Sequence, residues 1–440
     1  MKAKLITQEL RLHLSLKLSA VLLAGISVFW GGYYLAQGNG DIWPINLISG
    51  IVAAVTALMI SRGKVRAAAI FIFLFSYVIT CVFCVFLDLP TLEIPRSTHS
   101  YFLVIALFAW FAFKREQPWF RLWMAVASLL AFIFFASNSW GLASSYTLAP
   151  EQRLIGSWIH NITAIGLLLT LLWVMQANLT ESNVMESDLR KALATNQLVL
   201  HFQPQVGNNG RIVGAEALLR WQHPVKGMIS PADFIPLAEQ TGLILPIGHW
   251  VLGTACAQLM AWAKNPVSAN LHLAVNVSAL QFKQPDYVSQ VISILERSNI
   301  DPTLLTLELT ESMLVNDVSD IIAKMKSLKT KGVRFSLDDF GTGYSSLSYL
   351  KKLPIDQLKI DQSFVRDMLK DSNDVAIVRT VVGLARNLKL DVIAEGVETE
   401  GQRQFLADLG CHSFQGYLLS RPVPIAEFEG VLLEHSGRNV

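Results

Sequence analysis

The segment Val333-Arg-Phe-Ser-Leu-Asp-Asp339 places an apolar, β-forming run directly before two aspartates. The same order recurs through the second half of the chain, where seven short apolar runs each end in an acid, an amide or a lysine. These end residues are Glu216, Asn276, Glu308, Asp338 with Asp339, Lys359 with Asp361, Glu395 and Gln415. One polar residue after a strand is usually a solvated cap, but seven at the same topological place indicate a shared rim.

The length of this half predicts the architecture that carries such a rim. About 250 residues follow residue 190, which is the usual size of an eight-stranded β/α barrel. Only Gly207-Asn-Asn-Gly210 separates the first two runs, so we expect them to form a hairpin. The sequence therefore predicts an α/β TIM-like (β/α)8 barrel with one antiparallel strand. The strand runs are 198–202, 212–218, 271–275, 304–307, 333–337, 357–360, 391–394 and 413–418, and helical patterns include 287–297, 318–329, 375–388 and 402–409.

The first 177 residues indicate a lipid environment, in contrast to the aqueous environment expected for the second half. Hydrophobic residues make up 52% of the chain and charged residues 16%, which disfavours disorder, collagen-like order and a wholly soluble enzyme. Because roughly 20 apolar residues suffice to cross a bilayer as a helix, we predict an α-helical membrane domain of about six transmembrane helices. The uncharged runs are 18–36, 43–61, 67–87, 97–113, 122–136 and 154–178. The run 97–113 is short for a span, and we expect its flanks, including a snorkelling Arg96, to complete it.

Charge patterning predicts the orientation. Twelve of the 36 Lys and Arg but only six of the 34 Asp and Glu lie in the first 177 residues. The basic residues concentrate before the first run and in the connectors at 62–66 and 114–121. Because Lys and Arg of short loops are retained in the cytoplasm, both termini and the barrel are predicted to be cytoplasmic.

Residues 178–190 are predicted to form a helical linker between domain 1–177 and domain 191–440, because apolar residues recur there at helical spacing. This helix would either carry movement from the membrane or act as a tether. His160 and Asn161 lie inside the sixth run, where they would either bind a ligand or ion or bond a neighbouring helix. The four cysteines support neither a disulfide scaffold nor a zinc site.

The residue types on the rim predict metal chemistry. Four or five carboxylates in one small bowl would raise one another's pKa values unless cations neutralised them. Oxygen donors without His or Cys favour Mg²⁺, Mn²⁺ or Ca²⁺. Because there are more acids than one octahedral ion needs, two metals bridged by an aspartate are expected, and such pairs suit phosphodiester hydrolysis. Lys359 could steady the attacking water or the phosphorane charge, and an acid outside the metal shell could act as base. This reasoning identifies neither the nucleotide nor the base.

Seven motifs of the second half are similar in order and spacing to those of one enzyme family. They are Glu216-Ala-Leu-Leu-Arg220-Trp221, Asn276-Val-Ser278, Glu308-Leu-Thr-Glu311-Ser, Asp338-Asp-Phe-Gly-Thr-Gly-Tyr-Ser-Ser346, Lys359-Ile-Asp361, Glu395-Gly-Val-Glu398 and Gln415-Gly-Tyr417. They resemble the motifs of the EAL-domain cyclic-di-GMP phosphodiesterases from about residue 189 to about residue 433. The departure is mild, with Phe202 where a tyrosine is common, and a GGDEF-like cyclase signature is absent from the sequence.

The resemblance implies a bacterial enzyme that opens cyclic di-GMP to linear pGpG with two Mg²⁺ or Mn²⁺ ions per site, and that is commonly inhibited by Ca²⁺. It implies metal ligation by Glu216, Asn276, Glu308 and Asp338, with Asp339 shared by the second metal. Lys359 then orients the attacking water and Glu395 is the general base. Arg220 resembles a phosphate contact, and Gln203, Glu398 and Gln415 resemble substrate-pocket residues. Glu311 resembles the acid that steadies the loop after Asp339.

The resemblance, together with the apolar runs and the basic connectors, also implies partners and a location. The expected partners are cyclic di-GMP, the lipid bilayer and a second copy of the chain, with no nucleic-acid polymer, and the location is the bacterial inner (cytoplasmic) membrane. The loop 339–346 would connect the dimer contacts to the metals, and a signal of unknown nature would act on the membrane domain. Two alternatives stay open: a catalytically silent cyclic-di-GMP receptor or interaction module, and a transporter with a regulatory barrel.

Overall fold

The computed structural model divides the chain into two compact units, Met1–Val184 and Met185–Val440. It describes residues 16–17, 20–21, 23–33, 35–36, 43–113, 116–143, 147–311, 313, 318–341 and 350–437. The boundary between the units falls inside the segment 178–190, and one continuous helix, Pro150–Ala194, runs through that segment. The function of the segment as a linker stays a prediction.

The first unit is built from apolar helices. Among the residues that the structure describes, four of them are long and apolar enough to cross a membrane, and a fifth is shorter. These helices match five of the six predicted spans. The predicted span 18–36 lies partly outside the described residues, and its residues 23–33 are helical. The long helices are Trp43–Ser61, Val65–Leu87, Pro118–Ser137 and Pro150–Gln176, and the shorter one is Thr98–Ala112.

Large apolar side chains point outward from these helices. On Pro150–Gln176, more than half of the surface of Leu154, Ile155, Trp158 and Ile162 is exposed. Leaving such side chains in water costs about 1.5–3 kcal/mol each relative to burial, whereas lipid removes that cost. A helix that is apolar on all sides is typical of a membrane span. The first unit is therefore consistent with a membrane-spanning region.

A buried charge cluster connects the ends of four helices in this unit. The Asp88 carboxylate accepts hydrogen bonds from the backbone and hydroxyl groups of Ser97 and Thr98, and it pairs with Arg153 at 3.3 Å. Arg96 is only 4% exposed, so it does not snorkel outward as expected. Instead it donates to the backbone oxygens of Asp88, Phe135, Asn138 and Trp140. These bonds satisfy carbonyls at the end of the helix Pro118–Ser137.

His160 and Asn161 bond neighbouring segments of the same unit. The His160 ring stacks on Trp30 with centroids 4.3 Å apart, and its Nδ1 lies 3.1 Å from the Tyr101 hydroxyl. The Asn161 side-chain oxygen accepts a hydrogen bond from Ser100 at 3.2 Å. These contacts agree with the helix-bonding interpretation and lend no support to a transport site.

The second unit is the predicted barrel. Its strands are β1 Leu198–Gly207, β2 Ile212–His223, β3 Gly227–Ile229, β4 His272–Asn276, β5 Leu305–Thr310, β6 Arg334–Phe340, β7 Gln357–Ile360, β8 Asp391–Ala394 and β9 Ser413–Phe414. Eight strands close in the order β1, β2, β4, β5, β6, β7, β8, β9, and β3 is an extra hairpin strand on β2. β1 is antiparallel to both of its neighbours, and the other barrel strands are parallel. The predicted hairpin and single reversed strand are thus confirmed.

Helices cover the barrel, and several begin at side-chain caps. Asp371 accepts from the Asn373 backbone at the start of Ser372–Leu388, and Thr399 forms a capping box with Gln402 at the start of Glu400–Leu409. The α-helices of the unit after Pro150–Ala194 are Pro231–Thr241, Ile244–Trp262, Ala279–Phe282, Tyr287–Ser298, Val318–Lys329, Gln362–Asp367, Ser372–Leu388, Glu400–Leu409 and Ile425–Gly437. Ile244–Trp262 is as apolar as a membrane span, but it packs into the barrel core.

β9 is shorter than the predicted run 413–418. The chain leaves the sheet after Phe414 because Val397 binds the next segment, accepting from the Leu418 amide at 3.0 Å and donating to the Gln415 carbonyl at 3.1 Å. A side chain at Gly416 would collide with the Val397 backbone. The turn that ends β9 therefore presents Gln415 at the rim.

The close approach of β2 and β4 makes Gly214 a sensitive position. A methyl group at this position would lie 2.6 Å from the His272 carbonyl oxygen, so Gly214→Ala must push the strands apart. We expect a loss of about 1–3 kcal/mol in the free energy of unfolding, measured by denaturation of the full chain in detergent. Gly253→Ala is the control, because nothing lies within 4 Å of its Cβ position in the helix Ile244–Trp262. Equal stability of the two variants would contradict this packing.

Candidate active site

The strand ends bring the predicted rim residues together. In parallel pairing, Asn276 stands beside Glu308, and Thr310 stands beside Asp338. Side chains alternate along each strand, so Leu307 and Leu309 face the helices while Glu308 faces inward. The same alternation turns Glu216, Asp338 and Lys359 inward from β2, β6 and β7, and Glu395 and Gln415 follow β8 and β9.

Lys359 lies at the centre of the acids. Its ammonium nitrogen is 2.5 Å from carboxylate oxygens of Glu308 and Glu395 and 3.5 Å from those of Glu216 and Asp338. The residue has no exposed surface. Burial by itself would lower the pKa of the Lys359 ammonium, but the surrounding carboxylates raise it well above its usual value. Lys359 is therefore a fixed positive charge.

One ammonium does not balance four carboxylates. Burial and the nearby Glu216 raise the pKa of Glu308 well above its usual range, and burial raises the pKa of Glu395 to about 8. Burial acts in the same direction on Glu216, but Lys359 and amide donors outweigh it and lower the pKa of that carboxyl. With one ammonium among four carboxylates, the cluster favours further positive charge.

The donor set fits hard divalent cations. Glu308 is 1% exposed, and its Oε1 has no hydrogen-bond partner among the described residues. Carboxylate and amide oxygens are the ligands that Mg²⁺ and Mn²⁺ prefer. Within the part of the chain that the structure describes, no group of three His, Cys, Asp or Glu side chains is already arranged around a metal position. The Lys359 ammonium lies among the acids instead.

Side-chain amides orient Glu216. Asn276 donates to Glu216 Oε1 at 2.6 Å, and Gln415 donates to Oε2 at 2.5 Å. The Gln415 amide nitrogen also donates to Gln203 at 3.0 Å, and Gln205 donates to the Gln415 oxygen at 2.9 Å. Gln205 was not among the residues singled out from the sequence. Its signal is the period-two spacing from Gln203, which places both on the inward face of β1.

Asp339 lies beside the cluster at an irregularity of β6, where the register with β7 shifts between Leu337 and Phe340. It has a positive φ of 56°, and its amide donates to the Asp338 carboxylate at 2.9 Å. Burial, Asp338 and a hydrogen bond with Asp361 raise the pKa of Asp339 to about 6. Glu311 accepts from the Gly341 amide at 3.2 Å, a contact that would steady the start of the loop. Residues 342–349 of this loop lie outside the described residues.

Arg220 and Glu398 occupy different environments. Burial lowers the pKa of the Arg220 guanidinium, while Glu216 and Tyr417 act in the opposite direction. Arg220 is therefore close enough to Glu216 for the carboxylate charge to affect the pKa of its guanidinium. Glu398 is exposed, and no hydrogen bond or ion pair joins its side chain to the acids among the residues described. The structure thus gathers Glu216, Glu308, Asp338 and Glu395 around Lys359, and it leaves Glu398 at the periphery.

The family model for the EAL domain matches residues 186–422. The bifunctional diguanylate cyclase/cyclic di-GMP phosphodiesterase MucR of Pseudomonas aeruginosa is 50% identical over 251 residues, which are 57% of this chain and 36% of that protein. The cyclic di-GMP phosphodiesterase PdeR of Escherichia coli is 41% identical over 245 residues, 56% of this chain and 37% of that protein. The chain thus spans little more than a third of the length of these curated relatives.

A solved structure is similar over the same region. The PaMucR phosphodiesterase in complex with c-di-GMP superimposes with a TM-score of 0.54 and 50% sequence identity. The matched region covers 56% of this chain and 99% of that one. That share of this chain is close to the size of the second unit, Met185–Val440.

The central ammonium predicts a stability effect. Lys359→Met keeps a long side chain but leaves four buried carboxylates without their cation, which we expect to cost about 3–5 kcal/mol in unfolding free energy in EDTA. Mn²⁺ should restore part of this loss. The control is Lys329→Met, whose pair with Asp356 is partly exposed and should contribute about 0–1 kcal/mol. Equal unfolding temperatures for both variants would show that Lys359 does not hold the acids together.

Proposed function

The chain belongs to the EAL-domain family, and on that basis we propose that it is a membrane-bound phosphodiesterase that hydrolyses cyclic di-GMP to linear pGpG. The observation that carries this proposal is the convergence of four carboxylates, from β2, β5, β6 and the residue after β8, on one buried lysine. Such a bowl attracts divalent cations and suits the hydrolysis of a phosphodiester better than a neutral pocket would.

We assign the metal ligands by motif and chemistry. Glu216, Asn276, Glu308 and Asp338 would hold Mg²⁺ or Mn²⁺, and Asp339 would be shared with a second ion. Bound ions would supply Lewis acidity toward the phosphate and lower the pKa of water. The amides on Glu216 support this role, because they fix the direction of its carboxylate lone pairs.

The remaining residues handle the substrate and the proton. Glu395 would accept a proton from the attacking water, and Lys359, 2.5 Å from Glu395, would orient that water and offset the charge of the phosphorane. Water attack breaks one phosphorus–oxygen bond, so the ring opens to a terminal phosphate and a free ribose hydroxyl. Arg220 would bind a phosphate, and Gln203, Gln415 and Glu398 would line the pocket.

A catalytically silent receptor is the second candidate. It is favoured by the position of Lys359, whose ammonium pairs with the same carboxylates that metals would need. Such a receptor would bind cyclic di-GMP without turnover at any metal concentration.

Turnover by the full chain in lipid nanodiscs separates the two candidates. We expect the wild type to release pGpG with Mn²⁺ and Glu216→Ala to lose more than about 100-fold in turnover. The loss of a metal ligand should cost at least as much activity as the loss of a residue that hydrogen-bonds such a ligand. Glu429→Ala, an exposed carboxylate on the helix Ile425–Gly437, is the matched control and should keep wild-type turnover. Equal rates in all three proteins would refute the proposal. Tight binding of cyclic di-GMP with no release would favour the receptor.

The apolar helices and the basic connectors support a location in the inner membrane with both termini and the barrel in the cytoplasm. Fusion reporters test this orientation. Green fluorescent protein inserted after Gly63 should fluoresce, and alkaline phosphatase inserted after Trp140 should be active only if that loop faces outward. The opposite pattern would reverse the proposed topology.

We also propose a homodimer in which the membrane helices act on the loop that follows Asp339. Support comes from the family resemblance and from the Glu311 contact at the start of this loop. Crosslinking in membranes that yields only fully active monomers would argue against it.

A further inference from the structure

Two glutamines of β1 share the inward face of the barrel. Gln203 and Gln205 are two residues apart, and they are 8% and 6% exposed. Because β1 runs antiparallel to β2, Gln203 stands opposite Glu216 and Gln205 stands opposite Gly214. Gln205 therefore lies one step deeper in the barrel than the residues that border the acids, and it has no direct hydrogen bond to any of the acids that the structure describes.

Gln205 contacts the acids through Gln415. Its side-chain nitrogen donates to the Gln415 oxygen at 2.9 Å. The Gln415 nitrogen then donates to Glu216 at 2.5 Å and to Gln203 at 3.0 Å. The direction of this relay follows from chemistry: an ionised carboxylate only accepts hydrogen bonds, so Gln415 must present its NH₂ group to Glu216. Its oxygen then points to Gln205, which must donate.

The opposite orientation of the Gln415 side-chain amide would be energetically unfavourable. Gln415 is 4% exposed, so its oxygen would be left unsatisfied without Gln205, and an unsatisfied buried acceptor is costly. Rotation of the Gln415 amide by half a turn would bring its oxygen against the Glu216 carboxylate, and two acceptors repel each other. The donor on Gln205 disfavours that rotation.

We infer that Gln205 is a positioning residue of the site: it fixes the Gln415 amide in the orientation that holds Glu216 ready for a divalent cation. The inference rests on the proposed function and adds to it a residue that touches neither substrate nor metal ligand. It acts entirely through Gln415.

Mn²⁺ binding to the full-length protein in detergent, followed by the electron paramagnetic resonance signal of free Mn²⁺, tests this role. Gln205→Met keeps the side-chain length and removes the donor, and we expect about 10-fold weaker binding and a similar loss of turnover. The matched control is Gln197→Met, which also removes a hydrogen bond near the start of β1, the one from Trp221 at 3.1 Å. It should lower the unfolding temperature without changing Mn²⁺ affinity.

A double variant shows whether Gln205 acts through Gln415. Gln415→Met should weaken Mn²⁺ binding at least as much as Gln205→Met, and the combination should be no weaker than Gln415→Met alone. Additive losses would overturn the inference, and so would unchanged Mn²⁺ affinity in Gln205→Met. Wild-type protein that binds Mn²⁺ but releases no pGpG would contradict the proposed activity while the affinities still decide the role of Gln205. Absence of Mn²⁺ binding in the wild type would overturn both.

Discussion

The second unit depends on an electrostatic constraint: four carboxylates share one buried ammonium at the mouth of the barrel. The acids come from β2, β5, β6 and the residue after β8, so their mutual repulsion acts across the sheet and Lys359 opposes it. Burial, together with the neighbouring acids, raises the pKa values of Glu308 and Glu395 even in the presence of this cation. A site with more carboxylates than cations is suited to attract further cations. Its charge distribution therefore explains its chemistry better than its shape does.

The reversed strand supplies what the parallel strands cannot. Parallel β/α units deliver acids and a lysine to one rim, whereas β1 enters from the opposite direction and carries glutamines along the inner wall. Neutral amides can both donate and accept, so they orient a carboxylate without adding charge to a crowded bowl. Gln203 and Gln205 on β1, with Gln415 after β9, perform this task for Glu216.

Much of the barrel could be predicted because strand-end chemistry is local. The run before Asp338 and the turn after β1 identify their elements without tertiary information, and the acids follow from the fold rule for β/α barrels. The sequence could not predict that β9 ends at Phe414, because a contact with the distant Val397 stops it. Nor could it predict that Arg96 is buried, since its carbonyl partners lie about 40 residues further along the chain.

Composition likewise does not distinguish a membrane span from a helix buried in the barrel, because both environments favour apolar residues. The helix Ile244–Trp262 satisfies the length and apolarity of a membrane span, yet it packs into the barrel core. Gln205 was missed for a related reason: a glutamine inside a strand has no motif of its own. Its importance depends on which residue the closed barrel places beside it.

The closure between β1 and β9 has a further consequence. Only two residue pairs join these strands, Val206 with Phe414 and Gly207 with Ser413, and one isolated bridge, Phe202 with Val423, extends the contact. The neighbouring β1–β2 ladder pairs nine residues. Amide protons along this seam should therefore exchange with solvent before those of the β1–β2 ladder, since short ladders open first. Each opening would also disturb the acids around Lys359, because the hydrogen bond between Gln205 and Gln415 joins the two sides of this seam.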